Sequence, residues 1–288
     1  MKTIKKILVP VDFDKMALHT VLYALELAKH HQSHVEVLYS PIVPLIYGES
    51  AYFGDDLGDD NAIMMAEAYR LEDTEAKKQL EILKNNVTEH TKKNHLSYVP
   101  IRYNFEFGSD YENINLEIQT GKFDLVVSGI YDHSHPSKLV KNLDEKLLRK
   151  AKTPIIAVPI KAKYTQLKNI AYATNLHKHS IEEIEQFLIF IKSFGVKTHC
   201  VHFGKMSKSQ EEIEINVKSH FKHDKTVDFH INTNETTINN DLVKFIENHN
   251  INLLAMHPHK TNLWNKIFGK DEVESILQST QIPIIAVH

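Results

Sequence analysis

Short, strongly apolar runs alternate with amphipathic segments along the first half of the chain. Residues 7–11 are nearly all apolar, which is typical of a parallel strand buried on both faces. Residues 17–28 then place Ala, Val and Leu at helical spacing. The pattern continues as a strand at 35–39, a helix at 74–92, a strand at 99–107, a helix at 111–120 and strands at 124–128 and 154–158. This order predicts an α/β fold in which helices cover both faces of a parallel sheet.

The second half of the chain repeats the first. Three segments recur in the same order, which indicates a duplicated domain. The pairs are 154–158 with 283–287, both reading Pro-Ile-Ile-Ala-Val, then 123–129 with 251–257, and 4–13 with 167–176. We therefore predict two tandem domains, residues 1–160 and 166–288, whose short linker keeps them packed together.

Local signals mark the first helix of the second half. Ser180 and Glu183 are three residues apart, as in a capping box, and Gly195 follows Phe194 as a stop signal.

The segment 41–73 does not repeat, because it is longer than its counterpart in the second half. It contains the acidic run 54–61, and we expect a solvated loop. A divalent-cation site and a lid over the neighbouring crevice are the alternatives, although the spacing of a calcium loop is missing.

Composition and charge indicate which partners and which cellular compartment to expect. The formal net charge is −3, so no overall field attracts nucleic acid or an anionic membrane. Cys200 is the single cysteine, which excludes an internal disulfide and fits a reducing compartment. Residues 1–13 lack the long apolar stretch of a signal peptide, and no run of 18 apolar residues occurs anywhere. We expect a cytoplasmic protein with neither a nucleic-acid nor a membrane partner.

Short motifs at the strand ends resemble the universal stress protein family. The opening strand ends in Val-Pro-Val-Asp at 9–12, and the fourth reads Asp-Leu-Val-Val-Ser-Gly at 124–129 before the Pro-initiated strand at 154–158. The resemblance extends over the chain twice, as in tandem members of the family. It implies that each half is a Rossmann-like domain of the adenine nucleotide alpha hydrolase-like type, with a five-stranded parallel sheet. Nucleotide-binding members hold ATP between the first and fourth strands.

The resemblance also selects candidate nucleotide-binding residues. The family's phosphate loop reads Gly-x-x-Gly, nine residues, then Gly-Ser or Gly-Thr. Here Gly129 is present, Asp132 stands at the second glycine, and Lys141-Asn142 replaces the final pair. The candidates in the first half are Pro10, Asp12, Ser40, Gly129, Lys141 and Asn142. The degenerate candidates in the second half are Asn175, His257, Lys260 and Lys270.

His257 and His259 flank Pro258 just beyond a predicted strand. Two histidines so spaced can chelate zinc, and Cys200 and His202 could approach them as further ligands. We expect instead a polar loop and no metal site.

These observations favour a non-catalytic stress-response protein that binds a protein partner or a small ligand and has no certain cofactor. The alternative is an adenine-nucleotide (ATP or AMP) binder with at most slow ATP hydrolysis in the first half. An ATP pyrophosphatase would carry a Gly-rich loop after the first strand, and residues 10–14 contain no glycine. Because family members commonly dimerise through the last strand, we expect 154–158 and 283–287 to pair within the chain as a pseudo-dimer.

Overall fold

The computed structural model describes residues 4–11, 15–40, 59–105, 110–130, 152–233, 238–257 and 281–287. Strands and helices alternate in the first half, as the sequence predicts. Its elements are β1 (Lys6–Val11), α1 (Lys15–His31), β2 (His34–Tyr39), α2 (Asp59–Lys93), β3 (Ile101–Phe105), α3 (Asp110–Thr120), β4 (Leu125–Ile130) and β5 (Ile155–Pro159).

The second half contains the same kinds of element in the same order. They are β6 (Asn169–Ala173), α4 (Ser180–Ile191) with a 3₁₀ turn at Lys192–Phe194, β7 (Lys197–Phe203), α5 (Lys208–His220), β8 (Val227–Asn232), α6 (Ile238–Asn248), β9 (Leu253–Met256) and β10 (Ile284–Ala286).

All ten described strands form one sheet, in the order β3-β2-β1-β4-β5-β10-β9-β6-β7-β8. Neighbouring strands within each half are parallel. The two halves meet at β5 and β10, which pair antiparallel with Ile285 opposite Ile156. The α/β class with a parallel sheet in each half is therefore confirmed. The antiparallel pair leaves neither of these buried strands with an open hydrogen-bonding edge.

Apolar side chains alternate between the two faces of the sheet. One face packs against α1, α2, α4 and α5, and its core includes Val21, Leu83 and Phe187. The other face packs against α3 and α6 through residues such as Ile118 and Leu242. Because both faces are covered, each strand is apolar throughout, which explains the unbroken runs in the sequence.

The linker between the halves is packed on the α1 side of the sheet. Tyr164 meets the ring of Tyr23 edge-on at 5.2 Å between centroids and stacks near His30 at 6.0 Å. His31 of α1 contacts Phe194 of the second half at 4.2 Å between ring centroids. The rings of His30, His31, Tyr164 and Phe194 border a crevice of about 130 Å³ between the halves.

The repeat extends to individual hydrogen bonds. Asp124 Oδ2 accepts the backbone N–H groups of Lys5 and Lys6 at the start of β1. Asn252 Oδ1 accepts those of Lys168 and Asn169 at the start of β6. The Asp124 carboxylate and the Asn252 side-chain amide thus make equivalent hydrogen bonds to the first residues of the central strands β1 and β6.

Two predictions about local structure were wrong. Helix α2 begins at Asp59, so residues 59–73 of the expected loop are helix; residues 41–58, including the rest of the acidic run, lie outside the described residues. The expected capping box at Ser180 and Glu183 does not form, because Ser180 is already helical and His179 precedes the helix without a side-chain cap. Gly195 does end the 3₁₀ turn, with a left-handed φ of 61°.

Candidate functional site

Three candidate residues of the first half lie at the carboxyl ends of adjacent strands. Pro10 is the buried penultimate residue of β1, Ser40 directly follows β2, and Gly129 is the penultimate residue of β4. The strand order reverses between β1 and β4, which is where ligands bind in open parallel sheets. Asp12, Lys141 and Asn142 lie outside the described residues.

Gly129 is required by the packing of α1 on β4. A Cβ atom at this position would lie 2.7 Å from Met16 Cε and 2.7 Å from Thr20 Oγ1. The Thr20 hydroxyl donates to the Met16 carbonyl at 2.9 Å, so it is held in place. A larger residue would force the side chains of Met16 and Thr20 to shift and would disturb the packing of α1 on β4. The glycine that the motif marks therefore has a structural function whether or not a phosphate binds there.

The second half carries a different residue at this position. The register pairs Leu125 with Ile7 and Leu253 with Ile170, so His257 corresponds to Gly129. Three residues separate β1 from α1, whereas six separate β6 from α4. The connection that precedes the helix is thus longer in the half that carries a side chain at this position. Lys260, Lys270 and His259 lie outside the described residues.

The connection between β6 and α4, residues 174–179, is held by its own side chains. Thr174 Oγ1 accepts the backbone N–H of Leu176 at 3.2 Å, and Ser180 Oγ accepts that of His177 at 2.8 Å. His177 Nδ1 accepts the N–H of His179 at 3.1 Å. That bond places the proton of the neutral imidazole on Nε2, which lies 3.2 Å from Glu183. These bonds use Ser180 and Glu183 to fix the connection rather than to cap the helix.

Two further residues attach this connection to neighbouring elements. His202, at the end of β7, donates from Nδ1 to the Thr174 carbonyl at 2.9 Å. Gln210 of α5 donates from Nε2 to the carbonyl of Asn175 at 2.7 Å. Asn175, the candidate from the sequence, is thus positioned through its backbone at the same sheet edge as His257.

His202 also brings an unsatisfied group to this edge. Its Nδ1 must carry the proton that is donated to Thr174, so its Nε2 is an acceptor. That atom is buried and has no hydrogen-bond partner among the described residues. A buried acceptor without a partner is costly, so a ligand donor or a water at this point would be favoured.

Cys200 does not serve the zinc arrangement considered from the sequence. Its side chain is fully buried in the core, and burial raises the pKa of its thiol far above the usual value. A neutral, enclosed thiol is a poor metal ligand. Neither Thr174 nor Gln210 is marked by a motif in the sequence, whereas His202 was already a candidate in the sequence from its place near the end of an apolar strand.

The strand order and the polar carboxyl edges define an open, doubly wound α/β protein. The family model described as "Universal stress protein family" matches residues 3–159, just over half of the chain. The chain therefore belongs to the universal stress protein family. No curated protein matches the sequence.

Solved structures with the same fold extend over nearly the whole chain. A universal stress protein from Archaeoglobus fulgidus DSM 4304 is 16% identical, covers 98% of this chain and 95% of its own, and has a TM-score of 0.62. A putative universal stress protein from Pseudomonas aeruginosa UCBPP-PA14 is 13% identical, with 99% and 93% coverage and a TM-score of 0.53. The cytoplasmic domain of a prokaryotic cation chloride cotransporter is 10% identical, with 98% and 94% coverage and a TM-score of 0.51. At these identities the similarity establishes the fold alone.

In the part of the chain that the structure describes, no helix has the length and apolar character needed to cross a membrane.

Proposed function

We propose that this protein is a non-catalytic tandem universal stress protein of the cytoplasm that binds a protein partner or a small ligand during stress. The observation that carries the proposal is the substitution at the key glycine of the phosphate loop. The second half has His257 at the position of Gly129. In the first half, the side chains of Met16 and Thr20 on α1 pack directly against Gly129. Neither half therefore offers strong support for phosphate binding by the family's glycine loop.

The proposal includes an intramolecular pseudo-dimer of domains 1–160 and 166–288. It is supported by the antiparallel pairing of β5 with β10 in the centre of the sheet. In this arrangement, the strand that family members commonly use for dimerisation is already buried. A partner would then bind the carboxyl edges or the outer helices.

Adenine-nucleotide binding in the first half is the second candidate. It is favoured by the strand-order reversal between β1 and β4, where Pro10, Ser40 and Gly129 lie at one edge. Asp12, Lys141 and Asn142 would complete this site, with ATP or AMP as its ligand. The second-half set of Asn175, His257, Lys260 and Lys270 would be a degenerate copy.

Thermal unfolding with millimolar ATP, AMP and Mg²⁺ tests the two candidates. A ligand at 100 times its Kd stabilises a fold by about 2.7 kcal/mol, which raises Tm by a few degrees. We expect no shift for the wild type and no release of phosphate from ATP.

The matched variants Asp12→Ala and Asn175→Ala identify the half responsible if a shift appears. These residues occupy equivalent positions in the two openings of the repeat. A shift abolished by Asp12→Ala alone would replace our proposal with nucleotide binding in the first half. Phosphate release by the wild type that Asp12→Ala abolishes would overturn the non-catalytic assignment.

A further inference from the structure

Three metal-ligating side chains meet on the two outermost strands of the second half, β7 and β8. They are His199 of β7 with Asp228 and His230 of β8, and each offers a ligand atom within 4.8 Å of the other two. His199 Nδ1 lies 3.0 Å from His230 Nε2. His199 and Asp228 are directly opposite each other in the parallel pair. We call these three residues the edge triad.

The edge triad has the charge state that a metal requires. Burial lowers the pKa of His199 to about 4, with the neighbouring His230 as the next cause. Burial likewise lowers the pKa of His230. The hydrogen bond from Lys197 lowers the pKa of Asp228. At neutral pH the triad therefore presents two neutral imidazoles and one carboxylate, which are ligands in the forms that bind Zn²⁺.

Hydrogen bonding within the protein leaves this cluster incomplete. His199 is 5% exposed, and its Nε2 is buried with no hydrogen-bond partner among the described residues. The rings of Phe245 and His249 lie beside it, at centroid distances of 6.1 and 5.4 Å. The hydrogen bond to His230 is therefore the one polar contact of the His199 ring among the described residues, and it engages Nδ1, the atom that faces the cluster.

The equivalent positions in the first half form a different and better satisfied network. The registers align His199 with Glu36, Asp228 with Arg102 and His230 with Asn104. In the first half, the Glu36 carboxylate accepts from the Asn104 amide and pairs with Lys6 Nζ at 3.1 Å. In the second half, Asn169 stands where Lys6 does and bonds weakly to the Asn250 carbonyl at 3.5 Å. The second half thus has two imidazoles, His199 and His230, at the positions of Glu36 and Asn104, and no counterpart of the Lys6–Glu36 ion pair at these positions.

We propose that His199, Asp228 and His230 bind a divalent transition-metal ion, with Zn²⁺ as the best fit. Zn–N bonds of about 2.0–2.1 Å place two ligands of a tetrahedral ion roughly 3.3 Å apart, so the imidazoles need to separate by only a few tenths of an ångström. The metal lies between His199 Nδ1 and His230 Nε2, where the two rings share a proton, and that proton moves to the other nitrogen of its own ring, so both imidazoles stay neutral. Asp228 supplies the third ligand and water the fourth. Because Asp228 and His230 are only partly buried, the ion reaches the site from the sheet edge.

Lys197 competes with the ion for Asp228. Its Nζ lies 2.6 Å from Asp228 Oδ2, and both side chains are more than two-fifths exposed. The exposed lysine can turn into solvent when a dication binds, and the strength of this pair sets part of the metal affinity.

The test is titration of chelator-treated, full-length protein with Zn²⁺ by calorimetry and with Co²⁺ by visible absorption. The key variant is His230→Asn, which introduces the residue that the first half carries at this position and should therefore fold. We expect one equivalent of metal to bind the wild type. The variant should bind it at least about tenfold more weakly and lose the tetrahedral Co²⁺ bands, since losing even an outer-shell partner costs about 10–100-fold.

His220→Asn is the matched control. His220 is an exposed histidine of α5 that pairs with Glu185 outside the triad. This variant should bind Zn²⁺ as the wild type does. Equal affinities for the wild type and His230→Asn would overturn the proposal, and so would a wild type that binds no equivalent of Zn²⁺ or Co²⁺.

Lys197→Gln is expected to change the Zn²⁺ affinity in the opposite direction from His230→Asn. A general loss of structure would weaken binding and could not produce this result. Removing the competing cation should tighten Zn²⁺ binding by about two- to fivefold, the range expected for an exposed ion pair. Weaker binding by this variant would contradict Asp228 as a ligand.

Discussion

Gly129 illustrates how one residue can satisfy a motif and a packing constraint together. The motif marks it as a phosphate-loop glycine, whereas the structure places Met16 and Thr20 where its side chain would be. Replacing it with a larger residue would therefore affect the fold before it affected any ligand. The second half avoids the constraint with a longer connection after β6 and carries His257 instead.

Gly129→Ala should lower the free energy of unfolding by about 1–3 kcal/mol, because the added methyl group overpacks α1 against β4. Urea denaturation with and without ATP is the measurement, and the loss should be the same in both. The double variant Gly129→Ala/Thr20→Ala should recover part of the loss, because it removes the Oγ1 atom from the clash. A wild-type stability for Gly129→Ala would contradict this assignment.

At the scale of elements, hydrophobic periodicity predicted strands and helices well where one face is buried. It failed at the start of α2, where residues 59–73 carry good helix formers such as Ala, Met and Glu but no clear apolar stripe. Capping was harder to predict. The Ser-x-x-Glu pattern at 180–183 is present, but Ser180 and Glu183 contact His177 in the connection before the helix and do not cap its first turn. A capping box does form at Ser207, where Gln210 completes it.

Ser207→Ala should lower the free energy of unfolding by about 1 kcal/mol, because Ser207 Oγ accepts the N–H of Gln210 at the start of α5. The exposed Ser219 of the same helix is the control, and Ser219→Ala should change it by less than about 0.5 kcal/mol. Thermal or urea unfolding measures both. Equal effects of the two substitutions would mean that the capping box contributes nothing.

This cap also has a link to the candidate site of the second half. Gln210 accepts the N–H of Ser207 and donates to the Asn175 carbonyl. The start of α5 therefore helps to position the connection after β6, and local helix stability and site geometry depend on the same side chain.

For the whole molecule, the decisive feature is the single sheet that passes through both halves. One core cluster contains Val21 and Leu83 from the first half together with Phe187 and Val217 from the second. The strands β5 and β10 are buried at the centre of this sheet. Such continuity favours cooperative unfolding of the two halves.

Leu83→Ala in α2 tests that cooperativity from a position in the first half. It should lower the free energy of unfolding by about 2–5 kcal/mol, because it opens a cavity in the first-half core. Trp264 is the only tryptophan, so its fluorescence reports the second half, while far-UV circular dichroism reports the whole chain. Both denaturation midpoints should fall together. A fluorescence midpoint that stays at the wild-type value would mean that the halves unfold independently.

The sequence alone determined the α/β class, the duplication and the family, because these depend on local periodicity and on short motifs that recur in order. It also located Pro10, Ser40, Gly129, Asn175 and His257 next to strand ends. Only the tertiary structure brought His199 and His230, 31 residues apart in the chain, to 3.0 Å, and revealed that α1 occupies the space beside Gly129. Those contacts depend on strand register and helix docking, which arise from long-range packing and leave no periodic trace in the sequence.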